Sequence, residues 1–146
     1  PYRTVQNRYS LLHREPESEV FDVCRERAVR FLPFFPLESG LLTGKVAANG
    51  PRPGTRLAEW PEDRLKLFLT ERNLATVERL TQWLRNRDRS LLDLAFCWLL
   101  SKPEIPSVIA GATSAKQVLE NSQASGWRLT SSELDEVADL VSTPSD

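Results

Sequence analysis

Between Val108 and Asn121 an apolar run, Val108-Ile109-Ala110, gives way to Gly111 and Ala112 and then, through Thr113 and Ser114, to a helical pattern. The first turn of a helix carries backbone N–H groups with no intrahelical acceptor, which together with the helix dipole can hold an anion such as a phosphate. The residue types therefore suit a strand-to-helix phosphate site. Ser114 and Gln117 also have the spacing of a capping box, so Gln117 could close its own helix instead of meeting a ligand. Glu120 and Asn121 lie further along the same helix, where a solvated face is the ordinary reading.

Two other segments give this one a context. The first is Val5-Gln6-Asn7-Arg8-Tyr9-Ser10-Leu11-Leu12, followed by Arg14 and Glu15, and the second is Pro33-Phe34-Phe35-Pro36-Leu37-Glu38-Ser39-Gly40-Leu41-Leu42-Thr43-Gly44-Lys45. Taken in order with the segment from Val108 to Asn121, they resemble the sixth, seventh and eighth βα units of the aldo-keto reductases, and the resemblance runs from Thr4 to about Leu140. It implies an α/β fold, the C-terminal half of a TIM (β/α)8 barrel with parallel strands and outer helices.

The resemblance also implies a cofactor site. Gln6 would hydrogen-bond the carboxamide of a nicotinamide ring, which calls for an amide offering a donor and an acceptor together. Phe34 would stack on that ring, while the backbone of Pro36, Leu37, Ser39, Gly40 and Leu41 and the Lys45 side chain would lie along the pyrophosphate. Gly111, Ala112, Thr113 and Ser114 would hold a phosphate, Gln117 would reach the adenosine ribose, and Glu120 and Asn121 would contact adenine. Each assignment has a rival, since Phe34 could be a barrel-core aromatic and Gln117 a cap. Many family members grip the ribose phosphate with a Lys or Arg, where this chain has Gly111 and Gln117. NADP(H) is the first expectation, with Lys116 close enough to help, and NAD(H) the alternative.

The family's chemistry is hydride transfer between a nicotinamide and a carbonyl carbon, reducing aldehydes and ketones to alcohols. Its proton donor is a tyrosine tuned by a lysine, an aspartate and a histidine, because an unperturbed phenol near 10 resists ionisation at neutral pH. Those four residues belong to the first four strands. The only tyrosines here, Tyr2 and Tyr9, and the only histidine, His13, all fall in the segment resembling the sixth unit. No residue of this chain is therefore expected to be catalytic, and His13 reads as a solvated loop residue. Two other functions fit the same residues: a non-enzymatic, cofactor-binding regulatory or scaffold member of the fold, and a truncated product without function of its own.

Composition narrows the classes. The chain has 146 residues with a formal net charge of −1 and charges of both signs interspersed, so no basic face for nucleic acid or an anionic membrane is visible. The longest apolar run, Leu91 to Leu100, is broken by Asp93 and too short to cross a bilayer. No signal-peptide pattern opens the sequence, and a cytosolic location is the expectation. Cys24 and Cys97 sit in apolar helical patterns and read as buried, reduced thiols rather than a disulfide or metal pair. A complete (β/α)8 barrel takes roughly 250 residues, so residues 1–146 read as one C-terminal portion of such a barrel. Its substrate and oligomeric state are not legible.

The elements that must position the site follow from periodicity. Arg3 to Gln6 is extended and Ser10 to Pro16 a polar loop. A helix over Glu17–Ala28 leads to an almost continuously apolar strand, Val29–Phe35, the pattern of a parallel strand covered on both faces. Pro and Gly residues make 46–61 a long βα loop, either a flap over the site or a mobile excursion. Helices are expected over Glu71–Arg87, from Ser90 with Asp93 at capping distance, and from Thr130 with Glu133 closing a capping box and Leu129 and Leu134 a hydrophobic staple. Ile105–Ala110 is expected to be the last strand.

Overall fold

The computed structural model describes residues 2–47 and 50–142. Its centre is one βαβ unit: strand β1 (Thr4–Arg8), helix α1 (Val20–Arg27) and strand β2 (Arg30–Phe34), with the strands parallel and Gln6 opposite Leu32, Arg8 opposite Phe34. Ala28, in the left-handed region at φ 51°, ends α1 and turns the chain into β2. Successive side chains of a strand alternate between faces. Val5, Asn7, Tyr9, Phe31 and Pro33 thus share one face, and Gln6, Arg8, Leu32 and Phe34 the other.

The first face is the covered one. Tyr9 and Phe31 are fully buried against Phe21 of α1 and, through Tyr9, against Trp98, with ring centroids 5.0–5.6 Å apart. Trp98 belongs to α4 (Leu91–Leu100), in which every residue from Leu94 to Leu99 is buried. Such an all-round apolar helix must lie between layers. The expected caps form: Ser90 and Asp93 close a capping box on α4, and Thr130 and Glu133 do the same for α6 (Ser131–Ser142). Helix α3 (Glu71–Leu84) packs on α4 and α6, and Trp83 donates to Glu136 at 2.6 Å while stacking on Trp127. Helix α5 (Ala115–Ala124) lies on α4, where the Cys97 thiol donates to the Ala124 carbonyl at 3.1 Å. Both cysteines are buried and unbridged, as expected, and burial pushes their thiols up from the ordinary range.

Three expectations need correction. No strand forms over Ile105–Ala110, where a single backbone bond, Phe31 N–H to the Glu104 carbonyl at 2.9 Å, joins this stretch to the sheet. Pro103 and Pro106 offer no N–H to a ladder, and while Ile105 is buried, Ile109 remains 57% exposed. The 46–61 stretch is not devoid of regular structure. Val46–Ala47 (β3) pairs antiparallel with Gly50–Pro51 (β4), and Arg56–Glu59 forms a 3-10 turn before the short helix α2 (Glu62–Lys66). Ala48 and Asn49 of that stretch lie outside the described residues. The loop after β1 is partly core, because Ser10 and Leu11 are fully buried and His13 is half-buried, its backbone bridging to Ser10.

That loop is tied to α4 by a charged cluster. Tyr9 Oη donates to Glu17 Oε1 at 2.5 Å and Arg14 donates to both Glu17 oxygens, while the Arg14 and Lys102 cations both lie against the Trp98 ring. Burial works against the Glu17 carboxylate, but the bonds from Arg14 and Tyr9 outweigh it and hold the group below the usual carboxylate range. Between its folded value and the unfolded value of about 4.3 the unfolded chain binds the extra proton, so stability falls as pH drops through that window. Glu17→Gln is expected to lose stability at pH 7 and to show a flatter loss on acidification. Urea midpoints at pH 7 and about pH 3.5 would show it, and equal acid slopes in both proteins would refute it.

Candidate functional site

The second face of the βαβ unit is open, and it carries two of the expected site residues. Gln6 is exposed on β1, and Phe34, 44% exposed, lies on the same face of the neighbouring strand, diagonally across the register. A large ring left in water at the end of a strand has surface to offer a planar ligand. Phe34 meets Phe35 edge-on at 5.6 Å.

The chain after β2 is bent by an unusual backbone. Phe35, Glu38 and Ser39 all take positive φ, at 53°, 45° and 57°, with Gly40 at 109° and Gly44 at 73°. Non-glycine residues in the left-handed region cost about 1–2 kcal/mol each, and three in five positions persist only where the surroundings fix them. Glu38 supplies the fixing. Its side chain is 1% exposed and accepts from Arg8 through both carboxylate oxygens and from Ser10 Oγ at 2.7 Å. Ser10 Oγ in turn accepts from the Leu12 and His13 amides at 3.1 Å each. Pro36 and Leu41 are buried beneath the loop, Leu37, Ser39 and Gly40 are half-buried, and Lys45 is exposed at its end. The Ser39 hydroxyl is buried without a hydrogen-bond partner, the only such side-chain atom among the described residues. A buried polar atom left so is rare and calls for an explanation.

The third group lies elsewhere on the chain. Gly111, Ala112, Thr113 and Ser114 are exposed. Ser114 caps α5, its Oγ accepting from the Gln117 amide at 3.3 Å, and the Gln117 carboxamide oxygen accepts from the Thr113 amide at 2.7 Å. Gln117 thus serves the start of its own helix, one of the two places the sequence offers it. Glu120 pairs with Lys116 at 3.7 Å along the exposed side of the helix. Asn121 and Ala112 line a cleft of about 340 Å³ with Phe96, Val108 and Ser122, between α4 and α5. Neither that cleft nor a second, of about 620 Å³ between β1 and α1, includes Gln6, Phe34 or the 36–45 loop.

Glu38 and Arg8 are the residues that sequence reasoning missed. They are 30 positions apart, and an ion pair at that separation leaves no periodic or capping signature. Tyr2 is 93% exposed, and Tyr9 is fully buried with burial and Glu17 both pushing its hydroxyl up, the reverse of what a proton donor needs. Among the described residues no cluster of His, Cys, Asp and Glu is arranged for a metal, and no helix is long and apolar enough to cross a membrane.

A parallel βαβ unit packed against helices makes this an α/β protein. The chain belongs to the aldo/keto reductase family, whose model matches residues 1–142. Among curated proteins it is similar to the NADH-specific methylglyoxal reductase of Escherichia coli (strain K12), 32% identical over 121 residues, covering 80% of this chain and 35% of the relative. It is 34% identical over 127 residues to the L-glyceraldehyde 3-phosphate reductase of the same organism, covering 85% of this chain and 37% of that one. It is also 33% identical over 121 residues to the "Probable voltage-gated potassium channel subunit beta" of Oryza sativa subsp. japonica, covering 82% and 37%. The chain thus spans little more than a third of the length of these relatives.

Proposed function

We propose that residues 1–146 are the C-terminal, cofactor-holding portion of a nicotinamide-dependent oxidoreductase that reduces aldehydes or ketones to alcohols. The observation that carries this is the Ser39 hydroxyl, buried and unpartnered inside a loop whose strained backbone a buried ion pair fixes in place. A pyrophosphate oxygen would satisfy that hydroxyl, and the residues fit the group. Gln6 would orient the ring's carboxamide, Phe34 would cover one face of the ring, and Lys45 with the 36–41 backbone would hold the pyrophosphate. Gly111 to Ser114 and the α5 amides would hold the second phosphate, with Glu120 and Asn121 toward adenine. When bound, the nicotinamide supplies the hydride. This chain's part is to bind, orient and shield the ring, because it carries no group suited to protonate the product.

NADP(H) is the cofactor we favour and NAD(H) the alternative, since no Lys or Arg stands at position 111 or 117 and one similar protein is named as NADH-specific. The carbonyl substrate is small, and the location cytosolic. A scaffold or regulatory role that uses the same cofactor site is the second reading, favoured by the likeness to the protein named as a potassium channel β subunit.

Titrating the purified chain with NADPH and with NADH, followed by nicotinamide fluorescence, tests the proposal. Saturable binding is expected, weakened about tenfold in Phe34→Ala, a loss of about 1.4 kcal/mol that matches an aromatic stack. Oxidation of NADPH by reactive aldehydes should stay at background. Absence of saturation with both dinucleotides would refute the cofactor site. Turnover above background would refute the absence of catalytic residues.

A further inference from the structure

Arg8 does more than neutralise Glu38. On the open face of β1, directly opposite Phe34 in the register, its guanidinium donates to both oxygens of the buried Glu38 carboxylate and lies 4.9 Å from the centre of the Phe68 ring. Phe68, itself 6% exposed, meets Phe35 edge-on at 6.4 Å and Trp60 at 5.2 Å. Trp60 carries the Arg64 guanidinium at 3.7 Å. The Arg56–Glu59 turn packs on the Glu38–Thr43 turn, and Leu57 is buried. Three segments distant in sequence therefore meet at one ion pair: the end of β1, the loop 35–44 and the segment 52–69.

From this we infer that Arg8 and Glu38 are positioning residues for a dinucleotide, acting as a latch that holds segment 52–69 closed against loop 35–44. The inference rests on the reading of that loop as the pyrophosphate site. Arg suits the role because its planar fork can serve a carboxylate edge-on while its face lies on an aromatic ring, an arrangement that a lysine ammonium reproduces only in charge. Glu38 suits it because a side chain at φ 45° is thrown across the loop toward β1 rather than out to water. With the latch broken, the loop loses its anchor and Phe68 of the segment loses the fixed guanidinium it packs on, so ligand affinity and segment mobility change as one.

The test is limited trypsin digestion of the whole chain, together with NADPH titration, for the wild type, Glu38→Gln and Arg8→Lys. Arg64 and Lys66, exposed within the segment, report on the latch, and Lys116 and Arg128, exposed outside it, are the controls. Glu38→Gln is expected to cleave about tenfold faster at Arg64 and Lys66 and to bind NADPH about tenfold more weakly, with Arg8→Lys between it and the wild type. Cleavage at Lys116 and Arg128 should not change. Unchanged cleavage at Arg64 and Lys66, or equal acceleration at all four sites, would overturn the latch. If the wild type binds no dinucleotide, the pyrophosphate reading fails while the cleavage pattern still decides whether the latch exists. If Glu38→Gln does not fold, Arg8→Lys decides both by the same criteria.

Discussion

Replacing Trp98 with alanine is expected to destabilise the chain by about 3–5 kcal/mol, a large part of the roughly 5–15 kcal/mol that holds a typical domain together. The indole is 2% exposed and stacks on Tyr9 at 5.3 Å, the residue that joins the sheet to α4. Its loss removes more than the buried area of a ring. Arg14 and Lys102, whose cations lie 5.5 and 4.7 Å from the ring centre, would face a void, and Tyr9 would lose the surface that aligns its hydroxyl with Glu17. Such a gap between a sheet and a helix collapses poorly, which places the cost toward the upper end. Urea unfolding followed by far-UV circular dichroism would measure it, and a loss below about 1 kcal/mol would show that the region repacks freely.

Glu38→Ala should cost nearly as much, about 3 kcal/mol, because it leaves the Arg8 guanidinium and the Ser10 hydroxyl without their acceptor. The value sits at the low end for a broken buried pair because the Arg8 side chain remains 31% exposed, so water covers part of the orphaned charge. A comparison within the same site sharpens the prediction. Position 38 is left-handed, at φ 45°, where a Cβ is unfavourable and glycine is not. Glu38→Gly should therefore be more stable than Glu38→Ala by about 1 kcal/mol, the reverse of the order at an ordinary loop position. Unfolding midpoints for the two variants would show it. Equal midpoints would mean that the left-handed backbone relaxes once the carboxylate is gone.

What the sequence revealed and what it hid divide by the range of the interactions. The caps at Ser90, Ser114 and Thr130 are encoded within three or four residues and form as read. The strand read over Val29–Phe35 forms too, but its apolar run called for cover on both faces and only the face of Phe31 and Pro33 is buried, Phe34 staying 44% exposed. The strand expected over Ile105–Ala110 failed for the opposite reason. A strand exists only by pairing, and β2 offers this stretch a single bond beside two prolines. The site shows the same split. Gln6 and Phe34 fall on one face because strand periodicity is local. The left-handed run at Phe35, Glu38 and Ser39 depends on an ion pair to Arg8 thirty residues earlier, and only the glycines at 40 and 44 hinted that the loop turned sharply.

The central claim is that Gln6, Phe34, the loop through Ser39 and the start of α5 serve one dinucleotide, although the protein alone does not place them around one cleft. Amide and side-chain NMR shifts recorded during an NADPH titration of the purified chain test this most directly. The account predicts saturable shifts, with one common dissociation constant, at the Gln6 carboxamide, at Ser39 to Leu41 and at Ala115 and Lys116. Shifts confined to one of these groups, or different dissociation constants for the loop and the helix, would contradict it.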